Sequence, residues 1–197
     1  MLISSDTNVW LDFSFIGQIN YPFLLDNSYY LSSITYHDEI DDNTNLPRSI
    51  INIERFNEIR KCVKENKLLI TDATTSELKL AMKYQSEYRP PKISKAISMQ
   101  DSIALAIAKE RNWILLSGDG GLREAAGFED VVCHGTLWIY DELLYKKLLL
   151  ETEYLEAMYE LLDAVENKKR RLPRNEILMR IETINQNKTL RKYAIQK

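Results

Sequence analysis

The stretch SMQDSIALAIAKERNWILLSGDGGLREAA, residues 98–126, decides how the rest of the chain reads. Ile103, Ala104, Ile107 and Ala108 recur at helical spacing over residues 101–112. Ser98 stands three residues before Asp101, as in a capping arrangement at a helix start. Residues 113–116 are a short, near-continuous apolar run, which at that length and composition reads as a strand. Gly118, Gly120 and Gly121 follow at once and let the chain turn sharply; they lack the Lys and the spacing of a P-loop. Asp101 therefore opens a helix, and Asp119 stands just past the carboxyl end of a strand.

The same alternation extends outward. Residues 2–5, 29–34, 67–71 and 131–134 are further short apolar runs. Their lack of clean polar alternation predicts strands covered on both faces. Helical spacing marks residues 50–65 through Ile51, Phe56, Ile59 and Val63, and residues 75–86 through Leu78, Leu80, Ala81 and Met82. Strands alternating with helices predict an α/β fold with a central, mostly parallel sheet. After Gly135 the pattern becomes wholly helical: residues 136–149, 152–167 and 173–185, the last with Pro173 in its first turn. The expected organisation is a domain over 1–135 and a helical extension over 136–197 packed on it. Pro90-Pro91 and DDNTNLP at 41–47 mark loops.

Composition bounds the function. The 197 residues are 45% hydrophobic and 28% charged, globular values that exclude a disordered chain, and the few Gly and Pro exclude collagen-like and low-complexity classes. Cys62 and Cys133 cannot build a disulfide framework or fill a zinc site alone, which fits a reducing compartment. No basic leader or long apolar span is seen near the start, so a cytoplasmic protein without membrane contact is expected. Residues 164–197 hold ten Lys or Arg against three Glu; that surplus of seven leaves the remainder at −10 within a net charge of −3. An acidic body with a basic tail is compatible with solvated surface helices, or with a metal site in the body and a polyanion or acidic-partner contact in the tail.

Four acids stand at or near strand ends: Asp6 in SSDTN, Glu39 in SSITYHDEI, Asp101 and Asp119. In an open parallel sheet the ligand crevice lies at the carboxyl ends of the strands, where residues distant in sequence converge. Gathered carboxylates repel and need a cation. No Lys, Arg or His recurs beside these acids, so a divalent ion, Mg²⁺ or Mn²⁺, is the expected neutraliser, and phosphoryl chemistry the expected use. The doublet Asp38-Glu39 leaves the second acid open, and Asp72 or Glu77 could replace it. Each Asp could also be an ordinary helix cap, Asn8 a cap and Ser117 a turn hydroxyl. His37 and His134 read as structural or exposed, Arg123 as a phosphate contact or, better, a solvated helix position, and Trp10, Trp113 and Trp138 as core aromatics. Lys168, Lys169, Arg170 and Arg171, with Arg174, could bind an RNA backbone, an acidic protein segment, or only solvent.

Taken in order, DTN at the first strand, SSITYHDEI, and the whole of 98–126 resemble the motifs of the PIN-domain family of small metal-dependent nucleases. HGTLWIYDELL and the later RRLPRNEI are similar to a VapC-like branch with a helical extension. The resemblance covers most of the chain except residues 41–95. It implies a three-layer fold and an Mg²⁺- or Mn²⁺-dependent endoribonuclease. Asp6, Glu39 and Asp101, with Asp119, would be metal ligands and catalytic residues, and Asn8 and Ser117 would orient them. It also implies a toxin restrained by a cognate antitoxin protein, and often a homodimer. Two rivals remain. One is a PIN-shaped binding module without catalysis. The other is a haloacid-dehalogenase-like phosphatase, which needs a second Asp two residues after the first, where this chain has Asn8.

Overall fold

The computed structural model describes residues 1–41 and 50–186, with side chains omitted for 50–55. Most of the DDNTNLP loop and the four cations beyond Gln186 lie outside the described residues.

Five strands form one sheet: β1 (Leu2–Ser5), β2 (Ser28–Ser32), β3 (Leu68–Thr71), β4 (Ile114–Leu116) and β5 (Cys133–His134). Their order is β3-β2-β1-β4-β5 and every pairing is parallel. The sheet is thus wholly parallel where the sequence predicted mostly so. Between β1 and β2 runs α1 (Thr7–Phe15), and after β2 comes α2 (Ser33–Thr35), which continues into a wide turn over Tyr36–Asp41. Next come α3 (Ile50–Lys64), α4 (Thr75–Glu87), α5 (Met99–Arg111) and α6 (Gly120–Phe128). Last are α7 (Thr136–Tyr145), α8 (Glu151–Glu166) and α9 (Arg174–Asn185). Among the described residues no helix is long and apolar enough to cross a membrane.

The sheet is covered on both faces, as its uninterrupted apolarity demands. On one face Ile3, Tyr29, Leu31, Leu68 and Leu116 pack with Trp10 and Phe13 of α1, Ile59 of α3 and Ile139 and Tyr140 of α7. On the other, Leu115 packs with α4, α5 and α6 through Ala81, Ile103, Ile107 and Leu122. These three layers are consistent with a PIN-like arrangement. The predicted helices agree with the observed ones to within a few residues. α1 was missed, because Thr7, Asp12 and Ser14 are buried in it beside Val9, Trp10 and Phe13, which erases the amphipathic signature. Trp10 is a core aromatic as predicted, whereas Trp113 and Trp138 are only half-buried.

The C-terminal helices share the first cluster, through Tyr154, Met158 and Leu161 of α8 and Ile177 and Ile181 of α9. A buried polar knot joins them to α7. Tyr154 Oη donates to Asp141 Oδ1 at 2.7 Å, and Arg180 donates from Nε and Nη2 to the same carboxylate at 3.0 and 2.7 Å. Asp141 is 1% and Arg180 7% exposed, so each charge depends on the other.

Candidate functional site

The site is a product of strand register. Ser5 of β1 pairs with Leu116 of β4, so the next residues, Asp6 and Ser117, emerge side by side. Asp6 N–H donates to Leu116 O at 3.1 Å, and Ser117 N–H donates to His134 O at 2.8 Å, which adds the end of β5. Ser117 Oγ donates to Asp6 Oδ2 and accepts from Asp119 N–H at 3.0 Å. One hydroxyl therefore ties the first acid to the last, 113 residues away. This is more than the turn hydroxyl of the simpler reading.

Three of the four candidate acids are also helix caps. Asp6 Oδ1 accepts from Val9 N–H at 3.2 Å and opens α1; Asp119 Oδ1 accepts from Leu122 N–H at 3.1 Å and opens α6. Asp101 completes a capping box with Ser98 at the start of α5. Ser4 Oγ donates to Ala104 O at 3.0 Å, which seats that helix on β1. The capping reading is therefore satisfied at all three. At a helix N-terminus each carboxylate gives one oxygen to the amides; the other meets the Ser117 hydroxyl in Asp6 and the Lys95 ammonium in Asp119.

The two linked acids differ electrostatically. Burial pushes the Asp6 carboxyl up to about 7, against the lowering effect of its bonds from Ser117 and Val9 N–H, and the charges of Asp101 and Asp12 add to the rise. Asp6 is 5% exposed. Burial acts on Asp119 too, but the Lys95 ammonium and the amides of Leu122 and Gly121 outweigh it and hold its carboxyl below the ordinary value. Lys95 Nζ lies 2.5 Å from Asp119 Oδ2. No sequence pattern pointed to this cation. It reaches the site because Gly121 leaves room for the backbone of Lys95: a Cβ there would meet the Lys95 carbonyl oxygen at 2.3 Å.

The second motif is less closely engaged. Asp38 accepts from Gln100 Nε2 at 3.1 Å, beside Asp101 at the rim, while Glu39 is half-buried on the wide turn. Asp72 offers its carbonyl to Arg111, and Glu77 is buried in a bidentate pair with Arg111 and caps α4, so its carboxylate is committed to structure. Among the described residues no three His, Cys, Asp or Glu side chains lie close enough to hold a metal together. The one buried side-chain polar atom without a hydrogen-bond partner among them is Thr7 Oγ1, next to Asp6.

A cleft of about 320 Å³ opens beside Asp119 and is lined by Asn8, Asp12, Lys95 and the run Lys168–Arg171. Asn8 and Asp12 are four apart on α1 and face it together, a signal present in the sequence but unused. The basic run is divided by the structure. Arg170 is a strap: Nε donates to the buried Asp12 at 2.6 Å and Nη2 to Asn8 O at 2.9 Å, so it is not a free phosphate contact. Thr136 Oγ1 completes Asp12 at 2.5 Å. Arg174 pairs with Glu166 at 2.8 Å and does not line the cleft. Lys168, Lys169 and Arg171 line it with no carboxylate partner among the described residues.

In comparison with known proteins the chain matches no family model, no curated protein and no solved structure. The reading of the site thus stands on its residues.

Burial of the Asp6 carboxyl is expected to make the stability of the protein depend on pH. A carboxyl raised to about 7 keeps its proton in the folded state while the unfolded chain loses it near the ordinary value of 3.8. Between those values the unfolded state binds fewer protons, so stability falls as pH rises. Thermal melts in EDTA are expected to show a decline from pH 4 to 7 that is shallower in Asp6→Asn. Equal slopes would contradict the burial of an uncompensated acid.

Proposed function

We propose that the protein is an Mg²⁺- or Mn²⁺-dependent endoribonuclease whose centre is built on Asp6 and Asp119, with Asp101 and one acid of the Asp38-Glu39 pair completing it. The observation that carries this reading is the Asp6–Ser117–Asp119 link at the carboxyl ends of neighbouring strands, whose Asp119 lines a cleft with Lys168, Lys169 and Arg171, none of which has a carboxylate partner among the described residues. Magnesium is commonly held by one or two carboxylates, with water and substrate phosphate filling the rest. Asp6 and Asp119 fit that donor set in kind, and among the described residues the buried Asp6 has no ion pair with a cationic side chain. Thr7 Oγ1, buried and unpartnered beside it, is the other group such an ion or its water would satisfy. The ion, when bound, would lower the pKa of an attacking water and stabilise the leaving oxygen.

The chain's own groups do the rest. Ser117 fixes the orientation of the Asp6 carboxylate, and the Asn8 face of α1 borders the cleft. Lys168, Lys169 and Arg171 would neutralise phosphates on either side of the scissile bond, with affinity that falls with salt. Lys95 would leave Asp119 for a substrate phosphate when a cation takes its place. A toxin role, an antitoxin partner, a homodimer and a cytoplasmic setting extend this proposal on the resemblance alone. The test is labelled single-stranded RNA with purified protein and Mn²⁺. Cleavage should require the ion and vanish in EDTA; cleavage that persists in EDTA removes the metal mechanism.

A further inference from the structure

A second cavity, of about 290 Å³, opens on the other side of Gly118 and shares that residue with the acidic cleft. It is bounded by α6, the end of β5, α7 and the start of α9. His134 and Trp138 line it as a parallel stack, ring centroids 4.3 Å apart and planes within 8°. Both rings are half-buried and Trp138 also packs against the core, so the pair is fixed in place while still lining the cavity. Burial, aided by the nearby Arg123 charge, pushes His134 down to about 4, so the stack is uncharged at neutral pH.

The charges facing this cavity are Arg123, Arg180, Asp141 and Glu176. Arg180 is held by Asp141 and also meets Glu176 at 3.4 Å. Arg123 is different: it is exposed, lies against Gly135, and its guanidinium has no hydrogen bond or ion pair among the described residues. An unpaired guanidinium beside a neutral aromatic platform is the donor set for a nucleotide. The ring faces take a base by stacking, and the planar fork takes a phosphate by two parallel bonds.

We propose that this cavity is a nucleotide subsite: the His134–Trp138 stack takes one base of a single-stranded RNA, Arg123 takes an adjoining phosphate, and the strand continues across Gly118 to the acidic cleft. Its volume is at the low end for ligand pockets and suits one nucleotide. The choice of RNA as the natural ligand rests on the ribonuclease reading; the recognition of a base and its phosphate does not. Gly118, which lines both cavities, places no side chain between them.

The experiment uses the full chain in EDTA, with 5′-AMP as probe and inorganic phosphate as control, followed by tryptophan fluorescence and calorimetry. AMP is expected to bind saturably and quench, and phosphate to bind more weakly without quenching. Arg123→Gln, on an exposed and unpaired side chain, should raise the AMP dissociation constant about tenfold, the loss of one charge-assisted contact. Trp138→Phe should remove most of the quench while keeping AMP binding within about threefold, because a ring remains to stack on. Asp119→Asn should bind AMP as the parent does. Absence of saturable AMP binding, or equal affinity in parent and Arg123→Gln, overturns the subsite. AMP binding without any Mn²⁺-dependent RNA cleavage sinks the ribonuclease reading and leaves the subsite standing. Cleavage with an unchanged KM in Arg123→Gln does the reverse.

Discussion

Asp119→Asn is expected to lower Mn²⁺-dependent RNA cleavage by about 10²–10³-fold while leaving the melting curve nearly unchanged. A metal-held phosphoryl group draws several kcal/mol of transition-state stabilisation from the ion, and each 1.36 kcal/mol is about tenfold in rate. Asn removes a full charge from the proposed ligand set. It remains a good helix cap, so the bond from Leu122 N–H that opens α6 should survive. Lys95 then loses its partner, but its side chain is 64% exposed and returns to solvent at little cost. The activity loss should therefore be separable from stability. Circular dichroism and a melt beside the cleavage assay check this. An active Asp119→Asn enzyme would mean that the acid is a cap and nothing more.

Arg180→Ala is expected to destabilise the protein by about 3–5 kcal/mol, because it strands the buried Asp141 charge. For a chain of this size that corresponds to a fall in Tm of roughly 6–20 °C. Tyr154 would still donate to Asp141, but one phenol does not replace a guanidinium that donates to both carboxylate oxygens. Arg180→Met combined with Asp141→Leu should recover much of the loss, since an apolar pair of similar volume avoids both desolvation costs. Thermal melts of the two variants measure this. A single variant that melts with the parent would show that α9 is not fastened through this knot, and with it that residues 136–186 are less tightly joined to the sheet domain than their shared core implies.

Much of the fold was legible because its strands are short runs with no polar face and most of its helices carry caps in plain view. Ser98 with Asp101 marked α5, and Gly118 to Gly121 marked the turn after β4. The first helix was not legible, since a helix buried on nearly all sides has no moment to read. At the site, Asp6, Asp119 and Ser117 could be named from their places after strands, because parallel register alone brings such positions together. Lys95 and Arg170 could not. Lys95 meets Asp119 across 24 residues and Arg170 meets Asp12 across 158, and nothing in the local pattern of either lysine or arginine encodes the partner. The basic run looked uniform in sequence, yet one member became a strap, another a surface pair with Glu166, and three stayed at the cleft. Arg123 and Trp138, given solvent and core roles from the sequence, share a cavity only because β5 and α7 meet α6 there.

Carboxylates from separate strand ends are proposed to act together as one cation site. Calorimetric titration of the metal-free protein with Mn²⁺ at pH 7.5, in parent, Asp6→Asn and Asp119→Asn, tests it without reference to any substrate. Saturable binding in the parent that is lost in both variants is the predicted result. Binding that is absent in the parent, or that survives both substitutions, would contradict it.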